Sequence, residues 1–287
     1  MSTDKSFYII DCSYYFRASF FALPPIYSPN GMLVNAVYGF VAMLLKLLKE
    51  RRPKALAVAD DAHGHYFRHS LLPGYKSGKK QVPEECNQQI PVLRRLLDAM
   101  GIPYMNVKGF EADDIIATLT LEARRNGYYT YICSRDKDLQ QLLGDDVTIF
   151  DIVSRKETTS AILKEKKGIL PAQIPDMLAL IGDKVDSIPG IPGIGPKTAT
   201  RLLNTYGKLE NILQHVDELG DRLGTKITEH HEQALVAKKV ATLESQVPLG
   251  ISFSTLALRA PDKAVVEQPF KELGFELLLK RLEEIFL

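Results

Sequence analysis

FYIID, residues 7–11, is a short apolar run rich in β-formers that ends on an acid. The same form recurs as ALAVADD at 55–61 and TYICSRD at 130–136. Each reads as a buried strand running into polar sequence. Amphipathic helical stretches lie between and around them, at 35–50, 84–100 and 111–126. Strands alternating with helices predict an α/β fold with a mostly parallel central sheet and flanking helices. In such a sheet the ligand crevice lies beyond the carboxyl ends of the strands. Asp11, Asp60, Asp61, Asp136 and Asp138 fall at or just past those ends. Carboxylates distant in sequence are therefore expected to meet along one edge.

Three further clusters add acids to that edge. Glu111, Asp113 and Asp114 precede the apolar run IIATL. Acids suit the first turn of a helix, where they complement its dipole. Three in four residues exceed what capping needs, and Glu111 and Asp114 share a face at i and i+3. Ser134 reads as a helix N-cap, with Asp136 and Asp138 in the following turn. Asp183 and Asp186 stand three apart in GDKVD, which taken alone reads equally as a loop or a helix-end decoration. Dispersed carboxylates with no Cys/His set suit Mg²⁺ or Mn²⁺ better than Zn²⁺. Two such ions can activate water and stabilise the leaving oxygen of a phosphodiester.

Two segments point to phosphate. SLLPGYKSGKKQVPEE, residues 70–85, breaks both periodicities and holds Lys76, Lys79 and Lys80. It reads as a long basic excursion, as bland as a solvated loop or else ordered on binding. GIPGIGPKT, residues 190–198, resembles an NTPase phosphate loop, but Pro196 separates Gly195 from Lys197 and no buried strand leads in. It is not an NTPase loop. Gly190, Gly193 and Gly195 still allow close backbone approach around Ile194, and Pro196 suits a first helical position. With Lys197 and Thr198, that helix start makes an anion site, where the plainer alternative is a tight turn between helices.

Composition sets outer limits. The 287 residues have ordinary apolar (45%) and charged (25%) fractions for a globular protein. No apolar run is long enough to span a membrane, and the start, MSTDKSFYIID, lacks a signal-peptide pattern. Cys12, Cys86 and Cys133 form no CxxC pair, which fits reduced thiols in a cytoplasm. Net charge is only +1, from 36 bases against 35 acids. With the clustered carboxylates set aside, the remainder is clearly basic. After about residue 168 the strand signal fades, and helices are expected at 171–180, 196–206, 209–216 and 226–244. The expected division is an α/β domain at 1–169 and a helical domain at 170–287.

Taken in order, IIDCSYYFRASFFAL, AVYGF, FRH followed by LLPGYKSGK, FEADDIIATL, SRDKDLQQLL and GDKVDSIPGIPGIGPKTATRLL resemble the 5′-nuclease (flap endonuclease) family over nearly the whole chain. The likeness is closest to the N-terminal 5′→3′ exonuclease domain of bacterial DNA polymerase I. The resemblance implies a PIN-like nuclease fold with a helix–three-turn–helix near 174–206. It implies a divalent-metal phosphodiester hydrolase acting on branched or nicked DNA with a 5′ end or flap, in replication and repair. It implies metal ligands Asp11, Asp61, Glu111, Asp113, Asp114, Asp136, Asp138, Asp183 and Asp186 for two or more ions. The spacing to Phe67-Arg68-His69 selects Asp61 over Asp60. Lys76 falls on the family's phosphate-contacting lysine and Arg68 on an arginine near the scissile phosphate, both catalytic in this reading. Residues 70–85 match a basic arch with Lys79 and Lys80 gathering DNA. The turn at Gly190, Gly193, Ile194, Gly195, Lys197 and Thr198 matches a duplex-binding element that can hold K⁺. A monomer is expected, as a stand-alone nuclease or a domain excised from a polymerase, with a DNA polymerase as partner. Two other readings are a non-catalytic binder of branched DNA and a ribonuclease with a similar acidic edge. Nine acids oppose the first, since a pure binder gains nothing by repelling phosphate, and the 190–198 turn favours duplex DNA over the second.

Overall fold

The computed structural model describes residues 5–62, 64–78 and 81–286. Six strands, β1 (Ser6–Asp11), β2 (Ala55–Ala59), β3 (Tyr104–Met105), β4 (Tyr129–Cys133), β5 (Val147–Phe150) and β6 (Glu157–Thr158), form one sheet in the order β3-β2-β1-β4-β5-β6. The first five are parallel and β6 runs antiparallel to β5. β1 is the central strand of the fold: β2 pairs on one side with Ile9 beside Ala57, and β4 on the other with Ile9 beside Ile132. Because chain order reverses there, the carboxyl ends of β1, β2 and β4 open a crevice between them.

The helices are α1 (Cys12–Ala22), α2 (Asn35–Arg51), α3 (Phe67–Leu71), α4 (Glu84–Asn87), α5 (Ile90–Ala99), α6 (Ala112–Arg125), α7 (Ser160–Lys167), α8 (Ile174–Ile181), α9 (Pro196–Tyr206), α10 (Leu209–Gln214), α11 (Asp221–Glu229), α12 (His231–Ala241), α13 (Lys263–Glu272) and α14 (Glu276–Phe286). Strand side chains alternate between two cores, as a period of two requires. Phe7, Ile9, Ala57 and Ile132 face one core, shared with Ile116 of α6 and with Leu180, Leu203 and Val240 of the helical region. Tyr8, Ile10, Leu56 and Cys133 face the other, filled by Phe40, Leu44, Leu96, Phe270 and Leu278.

Several expectations change. The helix expected at 84–100 is two pieces, α4 and α5, and that at 226–244 breaks at His230 into α11 and α12. The expected helical domain does not hold together to residue 287. α13 packs on α5, and α14 packs on α2, so both cover the far face of the sheet. The driving force is burial of Val266, Phe270, Phe275 and Leu282, each fully removed from water or nearly so. Cys12, Cys86 and Cys133 are all free and buried, behaving as small apolar side chains. Among the described residues no helix is long and apolar enough to cross a membrane.

The basic excursion also differs from a free loop. Tyr75 N donates to Leu72 O (2.9 Å), Ser77 N to Gly74 O (3.2 Å) and Lys76 N to Asp186 O (2.9 Å). Residues 72–78 thus fold into turns docked on the acidic loop, with Tyr75 only 5% exposed. Lys79 and Lys80 lie outside the described residues.

Candidate active site

Asp11 ends β1 and caps α1, because its Oδ1 accepts from Tyr14 N at 3.0 Å. Its Oδ2 accepts from Ser134 Oγ at 2.6 Å, just past β4. Asp61 lies just past β2, where its Oδ1 accepts from Ala112 N (3.1 Å) and its Oδ2 sits 3.5 Å from Arg17. Asp60 turns away, taking hydrogen bonds from Ser13 (2.8 Å) and Tyr104. Asp136 follows β4; its Oδ1 accepts from Asp138 N (2.8 Å), and its own N–H donates to Ser134 Oγ (3.0 Å). Asp113 projects from the first turn of α6. Together Asp11, Asp61, Asp113 and Asp136 line one cleft of about 280 Å³ with Lys76, Arg17, Ser13, Tyr14 and Phe21. The four come from the ends of three adjacent parallel strands and the start of one helix.

Asp138, Asp183 and Asp186 flank this cleft. Asp183 Oδ1 accepts from Val185 N (2.8 Å), while its Oδ2 lies 2.7 Å from Lys137 Nζ in an ion pair. Asp186 is 3.8 Å from Lys76 Nζ. Asp138 Oδ1 is buried with no hydrogen-bond partner. Burial holds the Asp138 carboxyl up at about 7, reinforced by Asp136 and Asp186. Burial also holds Asp11 at about 7, against the hydrogen bonds from Ser134 and Tyr14. Asp113 is pushed well above the usual carboxylate range by desolvation and then by Asp136. Negative charge is thus crowded here beyond what nearby protein donors neutralise.

Glu111 and Asp114 sit below the cleft. Arg68 forks onto Asp114 with two bonds of 2.7 Å and reaches Glu111 Oε2 at 2.9 Å. Glu111 also accepts from Tyr75 OH (2.9 Å) and from Lys76 Nζ. Asp114 accepts from Glu111 N (3.1 Å) and Glu244 N (2.9 Å), so both its oxygens are fully engaged. Two expectations need correction. Arg68 is 1% exposed and cannot meet a scissile phosphate directly. Asp114 is 0% exposed, and its carboxylate serves Arg68 and two backbone amides instead of a cation. Burial works against the charge on Arg68, but Asp114 and Glu111 hold the guanidinium above its usual value. Lys76 shows the same balance: burial opposes its charge and Glu111 more than restores it.

The donor set fits a hard divalent cation, with oxygen ligands only and one buried oxygen left without a partner. Among the described residues, however, no three His, Cys, Asp or Glu side chains already form a set that could hold an ion. The carboxylates are splayed onto Ser134, Tyr14, Ala112, Arg17 and the two lysines instead.

The glycine-rich turn follows α8. Ile191 N donates to Leu180 O (2.9 Å) and Ile194 N to Ile191 O (3.0 Å). Gly190 crosses the end of α8 so closely that a Cβ would lie 2.3 Å from the carbonyl carbon of Ile181. Gly193 has φ +83°, where side chains are strained. Gly195 caps α9, Pro196 takes its first position, Lys197 is exposed and Thr198 half-buried beside it. Ile194 is a correction: its side chain is 5% exposed in the core and its amide is spent within the turn. The turn's carbonyls at Gly190 and Pro192 accept from Gln233 Nε2 (3.0 Å) and Lys226 Nζ (3.2 Å), so side-chain donors stand where K⁺ is expected.

Sequence reasoning missed Arg17, Ser13, Tyr14, Phe21 and Tyr75 as cleft neighbours. Phe21 is 69% exposed at the cleft, an unusual place for a large ring and the one signal that could have been read in a helical projection of α1.

Comparison with known proteins agrees with this geometry. Residues 6–168 match the family described as 5′-3′ exonuclease, N-terminal resolvase-like domain, and 169–264 match 5′-3′ exonuclease, C-terminal SAM fold. A DNA polymerase I of Bacillus caldotenax is 41% identical over 97% of this chain and 32% of its own length. The chain spans about a third of the length of such polymerase relatives. A 5′-3′ exonuclease of Aquifex aeolicus is 37% identical over 98% of this chain and 96% of its own. A bacteriophage T5 flap endonuclease solved with DNA and metal ions shares the fold at a TM-score of 0.70, with 18% identity and 98% of both chains covered. The catalytic core of Rad2 with DNA substrate shares it at 0.64, with 17% identity, over 99% of this chain and 94% of that one. With both halves matched and a relative of nearly equal length, the chain belongs to the 5′-3′ exonuclease family.

Proposed function

We propose that this chain is a structure-specific 5′-nuclease that hydrolyses phosphodiester bonds in branched or nicked DNA near a 5′ end or flap, using Mg²⁺ or Mn²⁺, in replication and repair. The observation carrying this reading is the juxtaposition of Asp11, Asp61, Asp113 and Asp136 with Lys76 in one cleft. Those four carboxylates, with Glu111, Asp138, Asp183 and Asp186 around them, would hold the ions. Bound there, divalent cations supply an activated water and stabilise the leaving oxygen.

The chain's own groups do the rest. Lys76 sits at the cleft on a turn pinned by its own amide to Asp186, so its ammonium is held where charge builds on a scissile phosphate. Arg17, 34% exposed beside Asp61, offers a second cation for orienting the backbone. The start of α9, with Lys197 and Thr198, offers amides and charge to the phosphates of the adjoining duplex. Side-chain donors, and not K⁺, serve the turn's carbonyls at Gly190 and Pro192. Lys79 and Lys80 belong to the same basic segment as Lys76 and are assigned to capture of the 5′ strand. The protein acts as a monomer in this reading, and a DNA polymerase is its partner, since polymerase relatives carry the same unit at full coverage of this chain.

The test is cleavage of flapped DNA, nicked DNA and single-stranded RNA, with and without chelator. The expected result is metal-dependent cutting of the two DNAs and inertness in chelator. Cutting of RNA alone would favour the ribonuclease reading. Binding without cutting under Mg²⁺ and Mn²⁺ would favour the non-catalytic one.

A further inference from the structure

The duplex-contacting turn and the carboxylate cleft are joined by one rod. α12 runs from His231 to Ala241, about 15 Å at 1.5 Å per residue. Near its start, Gln233 Nε2 donates to Gly190 O (3.0 Å), which holds the turn. Its far end runs into residues 240–247, and side chains from around the cleft grip that backbone. Arg68 Nε donates to Val240 O (2.8 Å) and its Nη2 to Thr242 O (3.1 Å). Gln141 Nε2 donates to Ala241 O (3.1 Å), while Leu243 N donates to Gln141 Oε1 (3.1 Å). Glu244 N donates to Asp114 Oδ1 (2.9 Å) and Val247 N to Thr118 Oγ1 (3.1 Å).

Arg68 reaches carboxylates of the acid set, and Gln141 bonds the backbone carbonyl of another acid. Arg68 binds Glu111, and Gln141 Nε2 also donates to Asp138 O at 3.0 Å. Arg68 Nη2 is shared between Asp114 Oδ1 and Thr242 O, and Asp114 Oδ1 is shared between Arg68 Nη2 and Glu244 N. Val240, Ala241 and Val247 are also buried in the core, but the directional bonds fix the register of this backbone, which apolar contact alone does not. We propose that residues 240–247 form a register strap, with Arg68 and Gln141 as positioning residues that set the distance from the duplex grip to the cut. The strap would thereby choose which phosphodiester is hydrolysed. This inference rests on the 5′-nuclease reading above.

The experiment uses the full chain with Gln141→Ala, Arg68→Lys and the double variant. Lysine keeps a charge opposite Asp114 but cannot reach Asp114, Glu111 and two carbonyls together. Three quantities are read: the position of the cut on an end-labelled flap, the single-turnover rate, and duplex affinity in Ca²⁺. Melting temperature confirms folding. If Arg68→Lys does not fold, Gln141→Ala carries the test alone, because Gln141 is only half-buried. The expected result is a spread of products over neighbouring positions and a rate lowered about tenfold or more, since misplacement by an ångström is that costly. Duplex affinity should stay within about twofold, because the grip itself is untouched. Folded Gln141→Ala cutting the wild-type bond at the wild-type rate overturns the strap. So does a rate that falls only in proportion to affinity. Failure of the wild-type protein to cut either DNA overturns the underlying reading instead, and the two failures are distinguished by that control.

Discussion

Asp113 and Asp114 are neighbours on one helix, yet they belong to opposite environments. One residue of helix turns the side chain by about 100°, enough to carry it from the cleft to the core. Asp114 meets Arg68 and two backbone amides, and the buried charge is matched bond for bond. The Asp113 carboxyl is driven up by desolvation first and then by the charges of Asp136 and Asp11, against the pull of Lys76. The acids of this protein therefore divide into a lower pair, Glu111 and Asp114, matched by Arg68, Lys76 and hydroxyl or amide donors, and an upper group at the cleft in which Asp11, Asp113 and Asp138 are held above the usual carboxylate range. The lower pair is matched inside the protein, and on the proposed function the upper acids, with Glu111, are the ones that would hold a cation.

The sharpest test sets the two neighbours against each other. Asp113→Ala should lower cleavage by about a thousandfold or more, the loss of several kcal/mol of charge stabilisation. Its metal-free melting temperature should hold steady or rise, because a repulsive charge is gone. Near-wild-type cutting in Mg²⁺ would break the division at once. Asp114→Ala should do the reverse in kind: unfolding measurements should show a loss of about 3–5 kcal/mol, the cost of stranding a buried guanidinium. A melting temperature unchanged in Asp114→Ala would mean that Arg68 is not held as the structure shows it.

Lys76 spans both groups, so its removal should sharpen the comparison. Lys76→Ala should slow the single-turnover rate by about a hundredfold, the usual effect of removing one preorganised charge donor. Duplex affinity in Ca²⁺ should change far less. Weaker binding at an unchanged rate would make the lysine a tether.

Acidity reads the upper group directly. The carboxyls of Asp11 and Asp138 titrate at about 7 in the folded chain, above their values in an unfolded one. The folded state holds these protons more tightly, so stability is greatest below the unfolded carboxylate range and falls as pH rises through about 7. The metal-free melting temperature should drop by several degrees between pH 5.5 and 8, and Asp11→Asn should flatten the slope. A rising curve over that window would contradict the crowding. The smallest effect is expected at Lys197→Ala, which should weaken duplex binding equally across sequences and reduce the salt slope by about one.

The upper group was legible in the sequence and the lower group was not. Asp11, Asp61 and Asp136 announce themselves because each closes an apolar run, and a parallel sheet must bring such ends together. The EADD cluster was visible as a surplus of acid, but nothing local says which of its members meets an arginine 46 positions earlier. Such a pairing depends on how α3 lies across α6, which is set by packing. The return of α13 and α14 to the sheet was hidden for the same reason: an amphipathic helix shows that it has a partner and not which one. The basic excursion was readable from its glycines, prolines and lysines, but Lys76 was singled out only by the family resemblance, and its docking on Asp186 depends on a loop 110 residues away.

The crossing of Gly190 over the end of α8 has a consequence for how this protein can change. Residues 182–190 begin and end at one point of backbone contact, so they form a closed ring of chain carrying Asp183 and Asp186. The glycine-rich turn starts where that ring is tied. Any side chain at Gly190, or any residue inserted into the ring, would displace the acid pair and the glycine-rich turn in the same motion. On the proposed function, a change at Gly190 would for that reason move metal affinity and DNA grip together, as a single inherited trait.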